Sequence, residues 1–536
     1  TQLLTPIHSI QFQNEYAQGI AGVYQKASES SWGPKMTGQT VATWSIDPAD
    51  SDKQYNLTPQ PDNIRDAFQN GFNTSTNIYA SMGSEKTQGV FSFTRTDAKG
   101  TVPGNKLGRN NLTVRLTSQL AAKLHLDTKV DYMQQVIDDP LVEDISNFNP
   151  VKQIYMMPRN IRTEDARKYS FVDAGGVIRQ NFWNPGSTLG LNPYFLLNRA
   201  SDISPRQRAM AMASLSYDFS KAINLMVRGS YDVVNSSVED KLSKDFYNQA
   251  LNGRYTVTKG YSSLFNGDFL LTYAKKFNKD WNFNINVGGN LQQQRNNSES
   301  SNTGVGMIVP DFFTLSNTLA PVTSYNPGPN IDIQSLYAFT HLGWKNALFL
   351  DITGRNDWSS TLPAANRSYF YPSVGLSAVL SDLVKLPEVI SFAKLRASWA
   401  KVGSGGPAYM LSRNATFSSG GNNGYLQLSG ILPNRNLRPE QTNSYEAGLD
   451  ASLFANRLSL NVTYYKTNTL NQLFTVALPP GSGASQFFTN GGDVENKGVE
   501  IVLSGIIIKS GNFRWQTDVN FSRNRNMVKK INDHRP

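Results

Sequence analysis

Sixteen times along this 536-residue chain, apolar side chains recur at every second position, and the connections between those runs alternate between short and long. The runs lie at 77–84, 89–95, 111–120, 124–133, 211–219, 223–233, 263–273, 281–291, 334–344, 347–356, 372–380, 395–402, 444–453, 458–467, 494–504 and 512–523. A strand sends successive side chains to opposite faces, so each run has one apolar and one polar face. "INLMVRGSYDV" places Ile223, Leu225, Val227, Gly229, Tyr231 and Val233 on one parity; "WNFNINVGGNL" does the same with Trp281, Phe283, Ile285, Val287, Gly289 and Leu291. Most runs have the length of a tilted strand crossing a hydrocarbon core, about 9–11 residues.

The short connections are 84–87, 121–124, 220–222, 275–280, 345–346, 454–457 and 506–512. The long ones are 17–76, 134–210, 234–262, 292–333, 403–443 and 468–493, with shorter members at 96–110 and 357–371; 381–394 breaks the rhythm and has room for a short helix. A soluble sandwich has no reason to place its long loops on every second connection. A transmembrane barrel does, having short periplasmic turns and long extracellular loops. Closing such a sheet removes its edges and pairs every backbone group, as lipid requires. Arg115, Asp131, Asp268 and Asn284 are then expected to face a wet lumen, and Trp281, Trp344, Tyr464, Tyr465 and Trp515 to form girdles at the membrane surfaces. The competing reading of those aromatics, core packing in a sandwich, does not explain the loop rhythm.

Composition agrees. Charged residues are 17% and aromatics 11%, and Cys is absent, which excludes disulfides, thiolate metal sites and a thiol nucleophile. No apolar run approaches the roughly 18–20 residues of a spanning helix. The net charge of +10 is scattered; its densest cluster, "RNRNMVKK" at 523–530, sits in no nucleic-acid module, so loop and rim charges are expected rather than nucleic-acid binding. The N-terminus carries no signal-peptide pattern.

Several stretches carry a family resemblance. "NLRPEQTNSYEAGLD" (436–450) is similar to a segment widespread among TonB-dependent receptors. "SWGPKMTGQTV" (31–41), the 192–232 stretch beginning "NPYFLLNRASDISPRQRAM", "GRNDWSS" (354–360), "FYPSVGLS" (370–377), "AKLRASWAKVG" (393–403) and "NGGDVENKGVEIVLSG" (490–505) narrow it. The chain resembles the barrel of SusC/RagA-type TonB-dependent outer-membrane transporters of Bacteroidetes. The resemblance implies an all-β fold: a transmembrane antiparallel β-barrel of 22 strands, with 16–17 represented here. It implies that 1–536 is a partial barrel, with the plug and last strands outside it. Import of an oligosaccharide or oligopeptide is implied, with a SusD-like surface lipoprotein and TonB with its inner-membrane energising complex as partners. The alternatives are an outer-membrane barrel recruited as a docking platform for secretion or adhesion, and a soluble β-rich binding protein.

Bond chemistry finds no support in the residues. The four His (His8, His125, His341, His534) have no metal-ligand spacing. The glycine-rich "GSGG" (403–406) and "GSGAS" (481–485) lack a phosphate loop's Lys-Ser/Thr, and the acidic pairs Asp138–Asp139 and Glu239–Asp240 have no reason to work together. No enzyme activity, cofactor or metal is expected. Binding is. Rings stack on apolar faces and amides satisfy hydroxyls, so the loop aromatics Phe182, Trp183, Tyr194, Phe195, Phe312, Phe313, Phe487 and Phe488 are the candidates for substrate or partner contact. The alternative for each is packing of loop on loop.

Overall fold

The computed structural model describes residues 2–4, 11–140, 147–185, 190–246, 252–418, 420 and 423–531. Sixteen long strands dominate it. They are β1 Gly71–Gly83, β2 Thr87–Lys99, β3 Lys106–Ala121, β4 Leu124–Asp138, β5 Ala200–Asp218, β6 Ile223–Leu242, β7 Arg254–Lys276 and β8 Trp281–Asn302. They continue as β9 Ile331–Trp344, β10 Leu348–Ser359, β11 Ser368–Val379, β12 Ile390–Ser404, β13 Glu440–Leu453, β14 Leu458–Ala477, β15 Gln486–Ser510 and β16 Phe513–Lys530. Each pairs antiparallel with the next in chain order from β1 to β16, with bulges in the β3–β4, β12–β13 and β15–β16 pairs. Three short strands, Gln2–Leu4, Val322–Asn326 and Ile431–Leu432, bring the sheet to 19. The two marginal strands, β1 and β16, are exposed on both parities along most of their length.

Each expected run falls within one of these strands to within a residue. Many strands are longer than expected: β7 has 23 residues and β15 has 25, where a crossing takes about half that. Two connections read as long loops, 234–262 and 468–493, are therefore mostly paired ribbon, and 292–333 begins as one. β6 and β7 meet at Leu242↔Arg254, β8 runs to Asn302, and β14 and β15 pair as far as Ala477↔Gln486. The reason is environmental. Above a membrane both faces are wet, so a segment such as 292–302, "QQQRNNSESSN", loses its alternation while keeping its ladder. The 381–394 segment contributes one helical turn, Leu380–Leu383.

Parity sorts the side chains as the alternation demands. Tyr217, Leu225, Leu271, Val287 and Ala338 stand opposite one another in one row; Leu215, Val227, Phe269, Gly289 and Leu336 form the next row on the same face. Val227, Phe269, Leu271, Val287 and Leu336 are exposed, so this apolar face packs on nothing within the chain. Trp281 and Trp344 are directly paired at its lower margin with rings 6.4 Å apart, and Trp515 is exposed near the β15–β16 turn. Tyr465 is a correction. It follows Tyr464 in one strand, so the two point to opposite faces, and Tyr465 lies on the polar side over Gly498, where a Cβ would come 2.6 Å from its hydroxyl.

The apolar core proper lies outside the barrel wall. Residues 11–70 and a second segment, 147–185 with 190–196, fold together into a crown around Trp44, Leu57, Ile64, Ile154, Met157, Ile161, Phe182 and Trp183, all buried. Three helices sit in the second segment: α1 Pro150–Tyr155, α2 Thr163–Ala166 and α3 Pro193–Arg199. α1 and α3 start alike. The Asn149 side chain accepts from the Val151 and Lys152 amides and that of Asn192 from the Tyr194 amide, each with proline at the first helical position.

Candidate functional site

The face opposite the apolar band is a wall of paired charges, amides and rings. Three consecutive rows define it. Arg228, Asp268, Asn290, Ser335, Asp357 and Tyr369 form one; Met226, Leu270, Gly288, Tyr337, Arg355 and Tyr371 the next; Asn224, Thr272, Asn286, Phe339, Thr353 and Ser373 the third. Arg228 holds Asp268 with both guanidinium prongs, at 3.0 and 3.1 Å. Arg355 donates to Asp357 at 2.7 Å and to Ser335 at 2.8 Å, and its guanidinium lies 5.6 Å from the Tyr337 ring centroid. Tyr371 donates its hydroxyl to Asp357 from the far side. Tyr337 stacks on Phe339 with centroids 6.5 Å apart, and Tyr369 on Tyr371 at 5.9 Å.

The pattern continues around the sheet. Arg115 pairs with Asp127 at 2.8 Å, Thr113 donates to Asp131 at 2.6 Å, and Arg208 clamps Asp232. Arg115, Asp131, Asp268 and Asn284 all lie on this polar face, where their parity put them. His125 and His341 belong to it too, beside Asp218 at 3.1 Å and Asp351 at 2.6 Å; His8 and His534 lie outside the described residues. Among the described residues, no three His, Cys, Asp or Glu side chains are grouped to hold a metal ion. Such a surface offers charge-assisted hydrogen bonds and ring faces to a polar solute. The rings Tyr337, Phe339 and Tyr371 sit on strands rather than in the long loops that supplied the candidate residues. The signal was present, as aromatic residues on the polar parity of "IQSLYAFTHL" and "SYFYPS".

The structure separates the eight loop aromatics. Phe182 and Trp183 are each 1% exposed, Phe195 is 0% and Tyr194 7%. They are crown core: Phe182 lies 4.8 Å from Trp183, Trp183 meets Trp44 edge-on at 5.8 Å, and Phe195 packs on Phe246 at 5.0 Å. As packed these four present no face to a ligand. Phe488 is half-buried against a second loop core of Leu362, Tyr369, Met410 and Leu437; Phe487 is half-buried beside it in chain. Phe313 is half-buried with its ring 6.3 Å from Tyr255, and Phe312, 61% exposed, is the one of the eight left largely free of cover. Trp32, with its ring 5.8 Å from Tyr16, is as exposed as Phe312, and the hairpin of Ala415–Ser418 and Tyr425–Leu428 shows Phe417, Tyr425, Leu426 and Leu428 to solvent.

The loop amides are likewise turned inward. Asn192 is fully buried and donates to the Ala166 and Asn181 carbonyls, both at 2.9 Å; Asn63 donates to those of Pro158 and Ile161 at 2.9 Å. Arg159, 3% exposed, joins both crown segments through Asn14 (3.0 and 2.8 Å), Asn63 and the Pro61 carbonyl (2.7 Å). Burial disfavours its charge, so these neutral acceptors hold the cation in place. Burial also pushes the Tyr55 hydroxyl up; that hydroxyl donates to the Asn160 carbonyl and accepts from the Arg162 amide, both at 3.0 Å.

Residues 157–533 match the family described as TonB dependent receptor-like, beta-barrel. Among curated proteins, TonB-dependent receptor P26 of Formosa agariphila is 25% identical over 487 residues, 85% of this chain and 44% of its own length. TonB-dependent receptor SusC of Bacteroides thetaiotaomicron is 26% identical over 270 residues, covering 46% of this chain and 26% of SusC. The RagAB peptide transporter superposes with a TM-score of 0.73 at 19% identity, over 89% of this chain and 53% of that one, which establishes likeness of fold. The chain thus spans less than half of these curated relatives and about half of the solved structure.

Proposed function

This chain belongs to the TonB dependent receptor-like β-barrel family of the outer membrane, and on that premise we propose that it is the barrel of an energy-dependent importer. Its cargo is a bulky polar nutrient, an oligosaccharide or an oligopeptide. One observation carries the reading: the same strands present an apolar band on one parity and a wall of paired charges and stacked rings on the other. Rows such as Met226–Leu270–Gly288–Tyr337–Arg355–Tyr371 line a conduit, in which Tyr337 and Tyr371 offer faces for sugar rings or peptide groups and ion pairs keep the wall wet. A SusD-like lipoprotein closes the outer mouth, and Trp32, Phe312, Phe417, Tyr425, Leu426 and Leu428 are exposed apolar groups that it covers. TonB acts through a plug that lies outside residues 1–536. The barrel makes and breaks no covalent bond.

The test is uptake. Cells carrying or lacking the full gene are given fluorescent oligosaccharides and oligopeptides of graded length, with and without a protonophore. Accumulation of one class that requires both the gene and the proton gradient supports the proposal. Equal uptake in the deletion strain for every cargo sinks it.

A further inference from the structure

On the outward face of β14–β16 the apolar band ends in a cluster of cations. Leu458, Leu460, Val462 and Tyr464 point outward along β14, and the next outward residue is Lys466. It stands opposite Lys497 of β15, which stands opposite Arg525 of β16; Arg523 lies one row lower, opposite Val499. Lys529 is the extra residue of a bulge in β16. All three lysines converge on a single carboxylate, Glu495, at 3.2 Å from Lys466, 3.2 Å from Lys497 and 3.5 Å from Lys529. Among the described residues the nearest other acid on this face, Asp493, is one row higher and accepts from Asn468 at 2.9 Å.

One carboxylate cannot balance three ammonium groups and two neighbouring guanidiniums, and like charges held this close repel unless a further anion sits among them. Their height identifies its source. Lys466 is nine residues above Arg457 in the β13–β14 turn; at about 3.3 Å per residue and a tilt of about 35–45°, that is roughly 21–24 Å, the top of an apolar band about 25 Å tall. Trp399 and Tyr445 stand in the same row as Lys466, as aromatics do at a membrane surface. We propose that Lys466, Lys497, Arg523, Arg525 and Lys529 bind the phosphate groups of a glycolipid in the outer leaflet, whose acyl chains lie on Leu460, Val462 and Ile501 just below.

The experiment uses the full-length protein with its co-purifying partners in mild detergent. Native mass spectrometry is run with added lipid A, with phosphatidylcholine and with inorganic phosphate alone. The wild type is expected to retain lipid A at least tenfold more than phosphatidylcholine, undisplaced by millimolar phosphate. The Lys466→Gln/Lys497→Gln/Lys529→Gln variant loses that preference while keeping its heat-resistant mobility on SDS gels. Glu495→Gln, which removes the competing carboxylate, binds lipid A more tightly than wild type; a purely structural ion-pair network would bind it no better. Unchanged lipid A retention in the triple variant overturns the proposal. So does weaker retention in Glu495→Gln, and so does displacement by free phosphate, which would mark a general anion site.

Discussion

Arg159 is replaced by leucine in the most informative residue-scale experiment. Its guanidinium satisfies Asn14, Asn63 and the Pro61 carbonyl inside the crown, and leucine leaves those acceptors unpaired. A loss of about 3 kcal/mol in crown stability is expected, read as faster amide exchange at 11–70 and 147–185 with exchange in β6–β10 unchanged. Asp173 gives a pH dependence. The Val177 and Gly175 amides and the Arg179 guanidinium all donate to its carboxylate, and those bonds, that from Val177 foremost, hold its pKa below the ordinary value. Its contribution to the Ser170–Gln180 hairpin is therefore complete above the unfolded carboxyl pKa, near 4, and is lost as pH falls through the lower folded value. Protection of that hairpin, after correction for intrinsic exchange, should fall below pH 4 in the wild type, and Asp173→Asn should lack the step. At this scale the sequence was least legible. A Phe or Trp written in a loop has one spelling whether it faces a ligand or a core, and Phe182, Trp183, Tyr194 and Phe195 proved to be core because two remote segments cover them.

At the scale of elements, alternation made the strands readable because apolar and wet surroundings lie on opposite sides of one wall. Where both sides are wet, as along 292–302 of β8, the same ladder continues unseen. The helices α1 and α3 were legible and overlooked: each begins with Asn-Pro, a cap followed by a residue already set for the first turn. Glycine shows how tightly neighbouring strands share space. A Cβ on Gly288 would lie 2.6 Å from the Tyr337 ring and 2.7 Å from the Phe269 carbonyl oxygen. Backbone cannot yield as a side chain can, so Gly288→Val is expected to cost about 1–3 kcal/mol. The measurement is the temperature at which the folded band disappears on SDS gels, and an unchanged temperature would mean the strands part more easily than their register suggests.

For the whole molecule, the two faces make a paired prediction. Val227 and Ser230 are three residues apart on β6, one facing outward and the other onto the polar wall. Val227→Arg should cost about 2–4 kcal/mol of stability in a bilayer, and Ser230→Arg within about 0.5 kcal/mol, by urea titration in vesicles. Equal penalties would mean that the outward face does not meet lipid. The barrel was legible at this scale because loop rhythm and parity are global properties; the crown was not, because nothing local announces that two loops will share a core.

That shared core bears on the order of assembly. Its halves, 12–68 and 148–196, are separated in the chain by β1–β4, so neither can bury its aromatics until those four strands have aligned and β5 has joined them. A slip of two residues between β4 and β5 would keep every side chain on its proper face and pass unnoticed by the membrane. It would also shift the β5 anchor of that second half by about 7 Å against its β4 anchor. The crown closes only over the true alignment, and so it proofreads the wall beneath it.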